Sequence, residues 1–314
     1  MDKEFPKGIV SKSIKEGRVV FFLGAGASIA GIPEKHRIPV GSDLNKAIHT
    51  QVGKLPKGEP KRPTLPEISM YFEEQGRRQN LLLSMYDVFK KSKTPKRLPP
   101  THSLIAKLPK ITGSQLIIIT TNYDHYMESS FSQNNVDYIC ISHVTNPNSA
   151  SHQKLIIFDK NGKHEIKSCD ELDQSWPQNK SIIYKMHGNL IDKKFIDKDM
   201  IVLTEYDYYN FASLHMEKIP KKIISAIMEN DVLYLGYSLV DWNLRLFLFR
   251  AIIANNGKTY KGLLRRPKNT ANWAISKKFN WVEKLFWDRY DVATYNEDLA
   301  NIIPALAQDL GVTL

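Results

Sequence analysis

Seven short runs of consecutive apolar residues, many of them β-branched, predict buried β-strands. Continuous apolar runs without polar alternation are typical of strands that are covered on both faces, as they are in parallel sheets. The predicted strands are 18–24, 115–121, 136–143, 181–187, 231–237, 259–264 and 290–295.

Segments with apolar residues at every third or fourth position separate these runs and predict helices. In the segment 42–52, for example, Leu44, Ile48 and Val52 share one face. Strands that alternate with helices predict an α/β fold built on a doubly wound parallel sheet of the Rossmann-like type. The predicted helices are 42–52, 79–91, 101–108, 220–230, 241–255 and 269–287.

Two regions interrupt the alternation of strand and helix. Residues 42–110 hold several helical patterns and proline-rich links but no strong strand, which predicts a helical insertion after the first strand. Residues 145–180 contain an Asn-Gly pair between two short β-like runs, which predicts a hairpin insertion. We therefore expect a single domain over 1–314, with its core formed by 15–30 and 111–310.

Composition and charge narrow the class of protein. The chain has 314 residues, 42% of them apolar and 25% charged, which is ordinary for a soluble globular protein. The net charge is +11, and basic residues concentrate in the loop-like segments 54–63 and 90–99. Either a solvated basic surface or an anionic partner accounts for this charge.

The number of cysteines limits the metal sites that the chain can form, and the lack of long apolar runs indicates its cellular location. Cys140 and Cys169 are the two cysteines and form no Cys-x-x-Cys pair, so a zinc site of four cysteines is impossible and no zinc is expected. The N-terminus has no apolar signal region, and no apolar run approaches the roughly 18 residues of a membrane span. We expect a cytoplasmic protein that does not contact a membrane.

Four predicted strands end in residues that are suited to ligand binding. In a doubly wound sheet, such strand ends converge on one crevice, where ligands bind. The four segments are Gly-Ala-Gly-Ala-Ser at 24–28, Thr-Thr-Asn-Tyr-Asp at 120–124, Met-His-Gly at 186–188 and Gly-Tyr-Ser at 236–238.

The first segment, 24–28, has two interpretations. Glycines at a strand-to-helix turn let the backbone approach a pyrophosphate, and the helix N-terminus supplies N–H donors. The Gly-x-Gly-x-x-Gly fingerprint is not met, because Ile29 occupies the sixth position. A tight turn without a ligand explains the same residues.

The other three segments also keep a structural alternative. Asn122 and Asp124 either face the crevice or cap the helix that follows them. His187 is either a base that titrates near neutral pH or a structural histidine beside a turn. Ser238 either contacts a ligand or caps the next helix.

Taken together and in this order, the four segments resemble the motifs of the sirtuin superfamily over about residues 15–300. The resemblance implies two catalytic residues, Asn122 beside the nicotinamide ribose of NAD and His187 as the base at that ribose. It also implies a set of NAD-binding residues. These are Gly24, Ala25, Gly26 and Ser28 at the phosphates, Asp124 at the nicotinamide end, Gly236 and Ser238 at the adenosine side, and Thr121.

The chain departs from the sirtuin deacylases in three ways, one of which is that Thr-Thr-Asn-Tyr-Asp at 120–124 replaces their Thr-Gln-Asn-Ile-Asp. It lacks the cysteines of their zinc module, and the segment Gly-Ile-Pro-Glu-Lys-His-Arg at 31–37 replaces their Gly-Ile-Pro-Asp-Phe-Arg. It therefore resembles the bacterial sirtuin-like branch of anti-phage defence proteins, whose members hydrolyse NAD. The resemblance implies a triggered NAD hydrolase that uses NAD as its substrate.

Such an enzyme would poison its host if it were always active, so we expect some restraint. A homo-oligomer, or a partner protein encoded nearby of the hexameric ATPase or Argonaute type, would provide it, and nucleic acid would act only through such a partner. Two alternatives remain open: an NAD-dependent protein deacylase, and a non-catalytic module that senses NAD or ADP-ribose.

Overall fold

One mixed sheet of nine strands organises the part of the chain that the computed structural model describes, which is residues 4–55, 63–76, 78–190, 193–213, 218–237, 245 and 270–314. In order along the sheet the strands are β5-β4-β3-β6-β2-β1-β7-β8-β9. Their bounds are β1 Val19–Leu23, β2 Ile117–Thr120, β3 Tyr138–His143, β4 Leu155–Asp159, β5 His164–Lys167, β6 Ser181–Lys185, β7 Asp231–Leu235, β8 Asn272–Ser276 and β9 Ala293–Asn296.

Strand direction confirms the predicted doubly wound sheet. Neighbouring strands from β3 through β6, β2, β1, β7 and β8 to β9 all pair in parallel. The exception is the predicted hairpin, in which β4 runs antiparallel to both β3 and β5. The chain proceeds from β1 to β2 on one side and later places β7 on the other side, so the topology switches at β1. Ligands bind at such switch points, beyond the carboxyl ends of the strands.

Helices cover both faces of the sheet. Buried side chains of α1, α6, α8 and α13 pack on one face, and those of α9, α11 and α12 pack on the other. The helix bounds are α1 Lys7–Lys15, α2 Ala25–Ile29, α3 Gly41–Val52, α4 Leu65–Gly76, α5 Arg78–Phe89, α6 Pro100–Lys107, α7 Pro109–Thr112, α8 Tyr126–Gln133, α9 Cys169–Gln174, α10 Glu205–Ser213, α11 Lys221–Glu229, α12 Trp281–Arg289 and α13 Leu299–Leu310.

The helical insertion predicted between the first two strands is present and has a small core of its own. Leu44 and Ile48 of α3, Ile68 of α4 and apolar residues of α5 bury one another there. Tyr123 and Leu190, which follow β2 and β6, belong to the same cluster. The insertion therefore packs against the loops at the carboxyl ends of the strands, beside the predicted ligand crevice.

One predicted helix is wrong, and two predicted elements cannot be compared. The segment 269–287 is not one helix: it contains β8, a turn and then α12. Pairing with β7 on one side and β9 on the other gives this segment hydrogen bonds that its local pattern does not reveal. The predicted helix 241–255 and strand 259–264 lie outside the described residues, apart from Arg245. Across the described ranges, no helix combines the length and the hydrophobicity that a bilayer span requires.

Candidate active site

A cavity of about 2110 Å³ opens at the carboxyl ends of β1, β2, β6, β7 and β8. The predicted site residues that line it are Gly24, Ala25, Gly26, Ser28, Thr121, Asn122, Asp124, His187 and Gly236. The last predicted site residue, Ser238, lies outside the described residues. Segments separated by up to about two hundred positions in sequence thus reach one space, as the strand-end argument predicted.

The glycines of the first segment are needed for backbone packing. The N–H of Gly24 donates to Leu235 O at 3.0 Å, and the N–H of Gly26 donates to Gly236 O at 2.9 Å. A Cβ on Gly24 would lie 2.5 Å from Gly236 O, and one on Gly236 would lie 2.3 Å from Ala27 N. The tight-turn interpretation therefore explains these glycines directly, and their contact with a phosphate stays a prediction.

Asn122, Ser28 and Asp124 form a chain of hydrogen bonds on the cavity wall. Asn122 Nδ2 donates to Gly24 O at 2.9 Å and to Ser28 Oγ at 3.0 Å. Ser28 Oγ in turn donates to Asp124 Oδ2 at 2.7 Å. A carbonyl oxygen only accepts, so the atom of Asn122 beside Gly24 O is its nitrogen. Both amide hydrogens are then used, which leaves Asn122 Oδ1 to accept a hydrogen bond from a ligand or a water.

Both carboxylate oxygens of Asp124 accept hydrogen bonds from within the protein. Its Oδ1 accepts the N–H of Tyr126 at 3.0 Å, and its Oδ2 accepts the Ser28 hydroxyl. Asp124 thus accepts the first N–H of α8 from the position before the cap residue, His125, which is the role that the structural alternative gave to a residue of this segment. Asn122 does not cap that helix. A direct contact between Asp124 and NAD stays a prediction.

His187 follows β6 and is 4% exposed. Its ring lies 5.8 Å from the ring of Tyr208 and 6.2 Å from that of Phe211, measured between centroids. Its backbone oxygen accepts the N–H of Val202 at 3.0 Å, while Val202 O accepts the hydroxyl of Tyr123 at 2.6 Å. The segment around Val202 thus joins the backbone of His187 to the loop that carries Asn122.

Some cavity residues were not predicted. They come from the segment between α2 and α4, from α10 and from the positions at or after the ends of β8 and β9, and they include Arg37, Glu205, Tyr208, Tyr209, Ser276, Lys277 and Asp298. Ser276 and Lys277 were missed because 269–287 was predicted to be a helix, which hid a strand end. Glu205 and Tyr208 have no strand-end signal, because α10 reaches the cavity only through tertiary packing.

The described residues contain no group of three or more His, Cys, Asp and Glu side chains that could hold a metal ion. Both cysteines are buried, Cys140 on β3 and Cys169 at the start of α9. Burial raises the pKa of the Cys169 thiol to about 12, and burial together with the charge of Glu128 raises the pKa of the Cys140 thiol well above its ordinary value. Neither thiol is therefore prepared to act as a nucleophile.

Three buried histidines near the sheet predict a loss of stability in acid. Burial lowers the pKa of His102 and of His143 from 6.5 to about 4, and it lowers that of His125 well below 6.5. For His102 and His143, the unfolded chain takes up a proton near pH 6.5 and the folded chain only near pH 4. The free energy of unfolding should therefore fall between these pH values, by roughly 1.4 kcal/mol per pH unit for each of these two histidines.

Denaturant unfolding at pH 7.5, 6.0 and 5.0 measures this fall. His102→Leu should make it shallower, whereas His164→Ala, at an exposed position of β5, should leave it unchanged. A free energy of unfolding that stays constant from pH 6.5 to pH 5.0 would contradict the prediction.

Comparison with known proteins adds a family and relatives. The family model described as a SIR2-like domain matches residues 116–292. The chain is 25% identical over 306 residues to the NAD(+) hydrolase ThsA of Enterococcus faecium, covering 95% of this chain and 52% of that protein. It is 24% identical over 278 residues to the NAD(+) hydrolase ThsA of Acinetobacter baumannii (strain 532279), covering 87% and 47%. The chain thus spans about half the length of these curated relatives.

Solved structures with a similar arrangement are described as Sir2 homologues. One is a complex of a mutant Sir2 homologue with ADP-ribose, with a TM-score of 0.49 at 14% identity, covering 96% of each chain. Another is a Sir2 homolog–NAD complex, with a TM-score of 0.47 at 13% identity, covering 99% of this chain and 96% of that one.

Proposed function

Because the chain belongs to the family of SIR2-like domains, we propose that it hydrolyses NAD at the bond between nicotinamide and ribose. The products are nicotinamide and ADP-ribose. The observation that carries the proposal is that Asn122, His187 and the loop 24–28 line one cavity at the topological switch of the sheet. Relatives named NAD(+) hydrolase that match 95% and 87% of the chain support it.

The order of the strands supports a direction for NAD in the cavity, which is part of our proposal. Across the sheet, the cavity residues follow the sequence His187 after β6, Asn122 after β2, the loop 24–28 after β1, Gly236 after β7 and Ser276 at the end of β8. Neighbouring strands are about 4.8 Å apart, so the row spans roughly 19 Å. We place the nicotinamide end at β6 and β2, the pyrophosphate at β1 and β7, and the adenosine at β8.

The residues at the nicotinamide end suit the chemistry of this bond. Nicotinamide is cationic on the ribose and leaves as a neutral molecule, so positive charge develops on the sugar as an oxocarbenium ion. Asn122 Oδ1 accepts a hydrogen bond from the attacking water or from a ribose hydroxyl. The oxygen of the water bonds to the ribose carbon, and His187 accepts the proton that the water loses. One water and one NAD thus give nicotinamide, ADP-ribose and a proton.

Incubation of the protein with NAD tests the proposal, with nicotinamide and ADP-ribose followed by chromatography. We expect both products in equal amounts without any acylated peptide. Release that requires an acylated peptide would instead identify a deacylase, and tight NAD binding without turnover under any trigger would identify a sensing module. Either outcome would overturn the proposed hydrolysis.

We further propose that the activity is a triggered step of bacterial anti-phage defence in the cytoplasm. A homo-oligomer or a partner protein would restrain it, because uncontrolled NAD loss is harmful to the host. The same assay, run with and without the product of the neighbouring gene, tests this restraint. Equal rates in both conditions, and in monomer and oligomer fractions, would count against it.

A further inference from the structure

A lysine is buried directly beneath the nicotinamide end of the cavity. Lys185 is the last residue of β6, two positions before His187, and it is 1% exposed. Its Nζ forms an ion pair with Glu128 Oε1 at 2.8 Å and donates to Asp124 O at 2.5 Å. Burying a charge costs several kcal/mol of desolvation free energy unless the charge is well paired, so the burial of this lysine needs an explanation.

The pairing of β2 with β6 places this lysine at a defined point relative to the two predicted catalytic side chains. Thr120 and Lys185 are register partners. Asn122 and His187 each lie two residues beyond that pair, so they occupy equivalent places on neighbouring strand ends. The hydrogen bond from Lys185 to Asp124 O then ties the end of β6 to the loop that carries Asn122.

The ion pair of Lys185 with Glu128 is not fully hydrogen-bonded, so stability alone does not explain why it is buried. Glu128 Oε2 is buried without a hydrogen-bond partner, and a further contact of the pair is Cys140 Sγ, at 3.7 Å from Glu128 Oε1. Replacing a buried ion pair by apolar residues is often neutral or stabilising. An apolar side chain at this place, however, could not donate to Asp124 O. Such a residue would lose a side-chain contact that joins the end of β6 to the loop after β2, in addition to the backbone pairing of the two strands.

We propose that Lys185 is a positioning residue that holds Asn122 in place relative to His187 through its hydrogen bond to Asp124 O. The proposal rests on the proposed hydrolysis of NAD. Lys185 itself is buried and is not among the residues that line the cavity. Its effect is therefore on the rate of the chemical step and much less on substrate binding.

The double variant Lys185→Met/Glu128→Gln tests this role, because it removes the donor without leaving a buried carboxylate unpaired. We expect kcat to fall by roughly 10- to 100-fold, the effect of a misplacement of about 1 Å. KM should change by less than about 3-fold, because the groups that bind NAD remain. The matched control is Ile183→Val, a buried change on the same strand outside the ion pair, which should retain the wild-type kcat.

Crystal structures of the wild type and the double variant provide a readout that does not depend on activity. We expect the distance between Asn122 Oδ1 and the imidazole of His187 to change by about 1 Å in the variant. An unchanged distance, or an unchanged kcat in a variant that is merely less stable, would overturn the positioning role. If the wild type fails to hydrolyse NAD, the proposed function fails, and the measured distances still decide whether Lys185 positions Asn122.

Discussion

Replacing either His187 or Asn122 by alanine should lower NAD turnover by roughly 10²- to 10⁴-fold, the range that a positioned proton-transfer group contributes. His187→Ala removes the base at the ribose. Asn122→Ala removes the Oδ1 acceptor and the donor to Ser28 Oγ, and it leaves Gly24 O with the N–H of Ala27 as its remaining donor. Initial rates of nicotinamide release at saturating NAD measure both losses.

Controls separate a catalytic loss from a folding defect. His164→Ala, at an exposed position of β5 that does not line the cavity, should keep the wild-type rate. Asn122→Asp keeps an oxygen acceptor but places a carboxylate beside Gly24 O, so it should also lose most activity. Circular dichroism and thermal unfolding should show folded protein in each case. Wild-type turnover in His187→Ala or Asn122→Ala would refute the assignment of that residue.

Gly188→Ala should abolish folding or lower the free energy of unfolding by more than roughly 4 kcal/mol, a loss that few single substitutions reach. Gly188 has φ +100°, and a Cβ there would lie 1.2 Å from Met200 O. That separation equals the length of a covalent C=O bond, about 1.23 Å. The backbone at Met200 or the turn after His187 would have to move, which would also displace His187.

Gly162→Ala is the matched control for this substitution. Gly162 also has a positive φ, +77°, but a Cβ there would meet nothing within 4 Å. It should cost only about 1–2 kcal/mol, the strain of an L-residue in the left-handed region. Chemical denaturation of both variants compares them directly. Equal stabilities would mean that the segment at Met200 does not pack against the turn as described.

The strands and the convergence of their ends were predictable because a buried parallel strand leaves a local signature. Val19–Leu23 and Ile117–Thr120 are continuous apolar runs, and each is followed by residues suited to a turn or a ligand. The match of the SIR2-like family model to residues 116–292 confirms the resemblance that these strand ends indicated. No sequence periodicity was needed beyond the runs themselves.

The missed features depend on partners that are distant in sequence. Asn272–Ser276 becomes a strand because β7 and β9 flank it, although it stands in a stretch that reads as helix. Lys185 looks like the polar end of an apolar run, and its partner Glu128 lies on α8. Tyr208 reaches the cavity through α10. A single sequence carries the residues of such contacts but not the contacts.

The cavity lining has two parts that differ in how they are held together. Gly24, Gly26 and Gly236 join the loops after β1 and β7 by direct backbone hydrogen bonds and close backbone contacts. Another part of the lining is formed by α3 and the start of α4, whose buried side chains belong to the small core of the insertion. Substitutions at solvent-facing positions of α3 and α4 can therefore alter access to the cavity while the backbone hydrogen bonds between the loops after β1 and β7 remain in place. In this fold, the helices that line the entrance to the cavity can therefore change in sequence separately from the strand-end loops that carry the predicted site.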